Sequence, residues 1–169
     1  MTEQEFNKNI LGMRSRLIHF AGGFSTGGAA TPEDMVQEAV MKVWNLNCSG
    51  EKVRSLEAMS IAILKNVCLD YMKLKKNHNE GMDCVKGVAG MGDEYQSPLQ
   101  ALEMKQKMAL VKRFIKALPM DQQIVLRLRD VMGYEMDEIA KILDTSEGNV
   151  RTMLSRVRGK LKSYLIGVR

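Results

Sequence analysis

The chain has 169 residues, enough for one ordinary domain or two small ones, and its 45% hydrophobic and 27% charged content is that of a soluble globular protein. No window approaches the roughly 18–20 uninterrupted apolar residues of a membrane span. Residues 1–9 are polar and acidic without the apolar run of a signal peptide, so a cytoplasmic location is expected. Cys48, Cys68 and Cys84 form no CxxC pair, and His19 and His78 have no partner at ligand spacing; no disulfide framework, metal site or cofactor is expected. The net charge of +5 is uneven: +2 over residues 1–78, −3 over 79–98 and +6 over 99–169. A basic C-terminal block points to a polyanionic partner.

Apolar residues recur at helical spacing along nearly the whole chain, and strand signals are almost absent. Phe6, Ile10, Met13, Leu17 and Phe20 mark a first helix, stopped by Gly22-Gly23; Ser25 to Ala30 reads as a glycine-rich loop. Thr31 is placed to cap a second helix, with Pro32 at its first position and Glu33 and Asp34 at the positive end of the helix dipole. Met35, Val36, Ala39, Val40, Val43 and Trp44 form its expected buried stripe, and Asp34, Gln37, Glu38 and Met41 its other side. Asn45 to Arg54 reads as a polar loop around Ser49-Gly50. Ser55 is placed to cap a third helix running to about Lys76, with Met59, Ile63, Val67, Tyr71 and Leu74 as its inner face and Lys65, Lys73, Lys75 and Lys76 on its outer half.

Asn77 to Gln96 holds four of the 14 glycines, is net acidic and has no periodicity, as expected of an interdomain linker. Ser97-Pro98 then opens a helix striped by Met104, Met108, Val111, Ile115 and Leu118 and broken at Pro119. Asp121 is placed to cap a helix carrying Ile124, Val125, Leu128 and Val131, ended by Gly133. Two more helices are expected, at about 136–143, with Ile139, Ala140 and Leu143 inward, and at about 147–165.

The last two helices have the spacing of a helix-turn-helix, with Asp144-Thr145-Ser146 as the turn, Thr145 or Ser146 as the cap and Glu147 in the first turn. Val150, Leu154, Val157, Leu161 and Leu165 are expected inward; Arg151, Thr152, Ser155, Arg156 and Lys162 outward. Long hydrogen-bonding side chains near the start of such a helix reach base edges, and basic groups further along meet phosphates. The predicted fold is all-α: two small helical domains, 1–78 and 99–169, joined by a flexible linker at 79–98, the second domain a helix-turn-helix.

The run Ala117-Leu118-Pro119, Gly133, Glu138-Ile139-Ala140-Lys141-Ile142-Leu143, Ser146-Glu147-Gly148-Asn149-Val150-Arg151, Ser155-Arg156-Val157-Arg158 and Leu161 resembles the C-terminal DNA-binding domain of the extracytoplasmic-function sigma factors. Pro32 to Trp44 resembles that family's polymerase-binding helix, and Lys65-Asn66-Val67-Cys68-Leu69-Asp70-Tyr71, followed by lysines, its promoter-melting helix. The sequence departs from the family pattern at Met59-Ser60, where a Trp-Leu pair is usual, and in having lysines rather than arginines after Asp70; lysine keeps the phosphate charge without the bidentate fork.

The resemblance implies a sigma factor that binds core RNA polymerase, through its clamp coiled coil and its flap, and directs promoter-specific initiation. Asp34, Gln37, Glu38 and Met41 would meet the polymerase. Asn47, Ser49, Lys65, Asn66, Lys73, Lys75 and Lys76 would meet the minus-ten element as it melts. Glu147, Asn149, Arg151, Thr152, Ser155, Arg156 and Lys162 would meet the minus-thirty-five element. Promoter DNA and an anti-sigma factor are the other implied partners. The alternative is a stand-alone helix-turn-helix transcriptional regulator, which accounts for residues 99–169 and leaves the first domain for dimerisation or ligand binding. No enzymatic activity is expected: there is no nucleophile-and-base arrangement, and Gly22-Gly23 and Gly27-Gly28 lack the Lys-Ser/Thr of a phosphate-binding loop.

Overall fold

A computed structural model describes residues 1–24, 26–51, 55–78 and 98–167, without the side chains of 75–78. The expectations for Ser25, Arg54, Cys84, the Asn77–Gln96 linker beyond residue 78, the Ser97 cap and the side chains of Lys75, Lys76 and His78 lie outside the described residues. Seven α-helices run in the order α1 (Glu3–Ala21), α2 (Pro32–Cys48), α3 (Leu56–His78), α4 (Pro98–Ala117), α5 (Met120–Leu126), α6 (Met136–Leu143) and α7 (Glu147–Gly167), and no strand occurs among the described residues. Among the described residues, no helix is long and apolar enough to cross a membrane. The chain divides into two compact units, Met1–Ala89 and Gly90–Arg169.

In the first unit, capping fixes where the helices begin. Thr31 Oγ1 accepts the Asp34 N–H at 3.2 Å while the Asp34 carboxylate accepts the Thr31 N–H at 3.3 Å, a reciprocal box that satisfies two of the free amides of α2. Ser55 Oγ caps α3 by accepting the Ala58 N–H at 3.2 Å. Phe6, Ile10, Met13, Leu17 and Phe20 of α1 are all buried, as expected, against Met35, Val36, Ala39 and Val43 of α2. Phe6 and Trp44 meet with ring centroids 4.9 Å apart, and an Arg16–Glu57 ion pair at 2.8 Å ties α1 to α3.

Two expectations for this unit are corrected. The loop begins later than Asn45, because α2 continues to Cys48 and the chain turns only at Gly50, whose φ of 83° is left-handed. The polar run Asn45–Ser49 contains no helix breaker, so the helix carries through it. The inner face of α3 is also rotated from the expected one: Ser60, Ile61, Leu64, Val67 and Cys68 are buried, whereas Met59, Ile63 and Tyr71 are half-buried and Leu74 is 48% exposed. Both stripes are apolar at helical spacing, and packing against α1 and α2 chose between them.

In the second unit, α5 packs beside α7, and α6 crosses α7 as the helix-turn-helix. Phe114, Leu118, Leu126 and Val157 form one buried cluster, with Ile115, Leu161 and Tyr164 partly buried against it. The α4 stripe is corrected accordingly: Phe114 is its deepest residue, stacked 5.4 Å from Tyr164, while Met104 is 48% exposed. Leu165 likewise lies outside the core, at 41% exposure, and Ile142 of α6 is buried where Leu143 is only half-buried.

The helix expected from Asp121 to Val131 is α5 followed by a π-helical turn, Arg127–Val131, closed by Met132 N–H to Arg127 O at 2.9 Å. Its cap position is Pro119, so Asp121 sits inside the first turn and does not cap it. Gly133, at φ 75°, then reverses the chain into α6.

Ser60 Oγ is buried without a hydrogen-bond partner, and no other described buried side-chain oxygen or nitrogen shares that state. An unmade bond of this kind costs about 1–3 kcal/mol. Ser60→Ala is expected to raise the unfolding free energy of the full chain by about 1 kcal/mol, read by urea denaturation; a loss of stability would contradict this account of α3.

Candidate functional site

On α2, burial of Met35, Val36, Ala39 and Val43 commits the opposite side to solvent. Asp34, Gln37 and Met41 are exposed, Met41 at 61%. Glu38 is half-buried and engaged: Lys42 Nζ lies 3.1 Å from its Oε1, and the Tyr71 hydroxyl donates to its Oε2 at 2.9 Å from α3. Lys42 first, then Tyr71, hold the Glu38 carboxyl below the usual carboxylate range, and Glu38 in turn raises the Tyr71 phenol above its ordinary value. Asp34 spends one carboxylate oxygen on the Thr31 cap.

The α2–α3 junction holds an open groove of about 540 Å³ lined by Lys42, Asn45, Leu46, Ser49, Ile63 and Asn66. Of the residues expected at the minus-ten element, it brings together Ser49 and Asn66 only. Asn47 is half-buried on the last turn of α2, its amide donating to Met1 O at 3.3 Å. Lys65 is half-buried and Lys73 exposed, and neither lines the groove. Asn45 and Leu46 were missed because residues 45–48 read as loop, and Ile63 because it was expected on the inner face of α3; Lys42, within the expected second helix, was not singled out. With α2 continued through 45–48, residues 42, 45, 46 and 49 fall on one helical face at spacings of three and four.

In the second unit, the turn between α6 and α7 is locked by backbone bonds. Asp144 adopts a left-handed φ of 52°, and Thr145 N–H closes back on Ala140 O at 2.9 Å, a Schellman-type stop. At the other end of α6, Glu135 stands at the cap position where Ser or Thr is usual, and the Glu138 carboxylate one turn on accepts its N–H at 3.0 Å. Ser146 caps α7 through its Oγ, which accepts the Asn149 N–H at 3.1 Å. Val150, Leu154 and Val157 are each at most 1% exposed against α5 and α6.

With that side buried, all seven expected DNA-facing residues of α7 are exposed: Glu147, Asn149, Arg151, Thr152, Ser155, Arg156 and Lys162. Four of them are also held locally. The Asn149 amide donates to Thr145 Oγ1 at 2.8 Å, Arg151 pairs with Glu147 at 3.4 Å, and the Thr152 hydroxyl donates to Gly148 O at 2.9 Å. The basic residues divide in two. Arg158 donates to Asp130 at 2.9 Å on the π-helical turn, and Lys160 reaches Gln122 at 3.5 Å, so both brace α7 against the preceding helices. Arg151, Arg156 and Lys162 face outward.

Residues 108–161 match the family model described as sigma-70, region 4. The chain is 23% identical over 150 residues to the ECF RNA polymerase sigma factor SigM of Mycobacterium tuberculosis, covering 89% of this chain and 72% of that one. It is 25% identical over 131 residues to the ECF RNA polymerase sigma-E factor of Escherichia coli K12, covering 74% and 69%. It is also 27% identical over 143 residues to the "Probable RNA polymerase sigma factor RfaY" of Xanthomonas campestris, covering 83% of this chain but only 36% of that longer protein. Among solved structures, the sigma factor RpoE in complex with the anti-sigma factor NepR, from Bartonella quintana, matches with a TM-score of 0.67 at 25% identity over 98% of this chain and 99% of that one. CnrH in complex with the cytosolic domain of CnrY shares the fold, with a TM-score of 0.65 at 17% identity over 98% and 90%.

The shifts at Glu38 and Tyr71 set a pH window. A lowered carboxyl contributes stability above the unfolded carboxylate range and loses it as pH falls through the folded value; a raised phenol contributes below the unfolded phenol range and loses it as pH rises through the folded value. Tyr71→Phe is therefore expected to cost at most about 1 kcal/mol at neutral pH, since the pair is partly solvent-screened, and progressively less at acidic pH as the lowered Glu38 carboxyl takes up its proton. Paired urea titrations at neutral and acidic pH check this. Sequence match, fold match and the geometry of α7 converge: residues 108–161 form a sigma-70 region 4 domain, and along most of its length the chain is similar in sequence and fold to extracytoplasmic-function sigma factors.

Proposed function

We propose that the chain is a sigma subunit that binds core RNA polymerase and directs initiation at promoters with two recognised elements, and that it works in the cytoplasm and catalyses no reaction itself. The observation that carries this reading is the exposed outer face of α7, basic and hydrogen-bonding, over a fully buried apolar spine. Residues 1–78 form the polymerase-binding and minus-ten domain, 79–98 the linker and 99–169 the minus-thirty-five domain.

Asp34, Gln37, Glu38 and Met41 meet the clamp coiled coil. An acidic and amide rim around an exposed methionine suits a basic helical partner that also buries apolar surface. The groove at the α2–α3 junction takes an unpaired promoter base, with Asn45, Ser49 and Asn66 supplying hydrogen bonds and Lys42 a phosphate contact. Asn47, Lys65, Lys73, Lys75 and Lys76 remain the wider minus-ten surface. On α7, Glu147, Asn149, Arg151, Thr152 and Ser155 address base edges, and Arg156 and Lys162 the backbone. Contact with the polymerase flap belongs to the second domain. An anti-sigma factor is the remaining partner, a proposal supported by one structural relative being a sigma factor solved in complex with an anti-sigma factor.

Charge reversal at Gln37→Lys with Glu38→Lys is expected to abolish or severely weaken capture of core polymerase by the folded chain, read by pull-down with circular dichroism as the folding control. Undiminished capture would remove α2 from the polymerase site. A gel shift separates the sigma reading from a stand-alone regulator: the regulator binds its operator tightly without core enzyme, whereas the sigma factor requires it.

Base reading and backbone anchoring should separate along α7, because Arg151 and Lys162 are about 16 Å apart along the helix axis. Arg151→Ala is expected to change which upstream element is preferred, costing about 1–3 kcal/mol on the best site. Lys162→Ala should weaken all sequences alike and lower the salt slope by roughly one. Transcription from upstream-element variants over a salt series, with holoenzyme carrying each substitution, measures both. A uniform loss across promoters with Arg151→Ala would make that residue a phosphate contact only.

A further inference from the structure

The Glu38 carboxylate sits at the edge of the proposed polymerase face, yet its best hydrogen bond comes from behind, from a residue of the neighbouring helix. The Tyr71 hydroxyl on α3 donates to Oε2 at 2.9 Å, and Lys42, one turn along α2, lies 3.1 Å from Oε1. The two donors take one oxygen each. An ionised carboxylate has about four acceptor positions, so roughly half of its capacity stays open, and the Glu38 side chain keeps 39% of its surface in solvent. A long acidic side chain that would otherwise sample many rotamers is thus held in one, with acceptor sites to spare.

We propose that Tyr71 is a positioning residue for polymerase binding: by anchoring Glu38 from α3, it presents a fixed carboxylate to the basic partner of α2. This rests on the reading of α2 as the polymerase face. Tyr71 touches no polymerase in this scheme and acts only through Glu38. Ordering a rotamer-rich side chain at an interface costs about 0.5–1.5 kcal/mol, a factor of about two to ten in affinity, and the Tyr71 bond meets that cost before the partner arrives. Lys42 acts on the same carboxylate from the other oxygen and lines the α2–α3 groove as well.

The test is a double-mutant cycle on the full chain, with core polymerase affinity read by fluorescence anisotropy and folding by thermal melts. Tyr71→Phe removes only the hydroxyl and is expected to weaken core binding about two- to tenfold. In a Glu38→Ala background the same change is expected to do nothing further. Lys42→Gln gives a second arm that frees Oε1 without touching the α3 core, and is likewise expected to lose its effect once Glu38 is gone. A general loosening of the helix pair would weaken binding equally in both backgrounds, and that result overturns the proposal, as does unchanged affinity with Tyr71→Phe. Gln37→Lys reads the underlying assignment separately. If it weakens binding while Tyr71→Phe is silent, the polymerase face stands and the positioning role falls; if Gln37→Lys, Glu38→Ala and Tyr71→Phe are all silent, both fall.

Discussion

Each helix of the first unit can bury only one stripe, and the stripe that α2 buries determines what the rest of the unit can do. Met35, Val36, Ala39 and Val43 go inward at spacings of one, three and four, each at most 3% exposed. Asp34, Gln37 and Met41, on the opposite side, are then left to solvent by geometry alone. The reciprocal Thr31–Asp34 box sets the start of the helix and so the rotation of that face, and Gly50, not the polar run before it, sets the end. Extending α2 to Cys48 is what brings Asn45, Leu46 and Ser49 beside Ile63 and Asn66 of α3 and creates the groove.

The second unit solves a similar problem with shorter helices. α6 has only eight residues, too few to be stable alone, and depends on Ile139, Ala140 and Ile142 packing into the unit. Both of its ends are closed by side chain or backbone, by Glu138 at the start and by the Asp144–Thr145 reversal at the finish. Ser146 then starts α7 immediately, which leaves almost no slack between the two helices. That closure, together with the burial of Val150, Leu154 and Val157, fixes the rotation of α7 and hence which of its cations face outward, while Arg158 and Lys160 turn to Asp130 and Gln122.

What could be read from the sequence follows this division. Helix identities, the Thr31, Ser55 and Ser146 caps, the inner stripe of α1 and that of α2 except for Val40 and Trp44, which are only half-buried, were legible because each rests on local chemistry or on a single periodicity. The inner face of α3 was not, since Met59–Ile63–Val67 and Ile61–Leu64–Cys68 are both apolar at helical spacing and only tertiary packing selects one. The π-helical turn at Arg127–Val131 leaves no signature in composition, and the polar stretch Asn45–Cys48 concealed helix behind loop-like residues. The candidate surfaces on α2 and α7 were legible as faces. The Tyr71–Glu38 bond was hidden because it joins residues 33 positions apart on different helices.

The number of outward cations on α7 bears on how such a protein would use DNA. With Arg158 and Lys160 committed to bracing, Arg151, Arg156 and Lys162 remain, and Arg151 shares its charge with Glu147. Each phosphate neutralised contributes about 0.9 to the slope of log affinity against log salt, so about three contacts give a slope near −3, against 6–10 contacts for proteins that hold duplex DNA tightly by themselves. If α7 reads the upstream element as proposed, a helix so lightly charged adds selectivity more than grip. On that reading its affinity would come from a second attachment that raises the local concentration of promoter, and a polymerase bound through α2 would supply that while leaving α7 free to discriminate among upstream sequences.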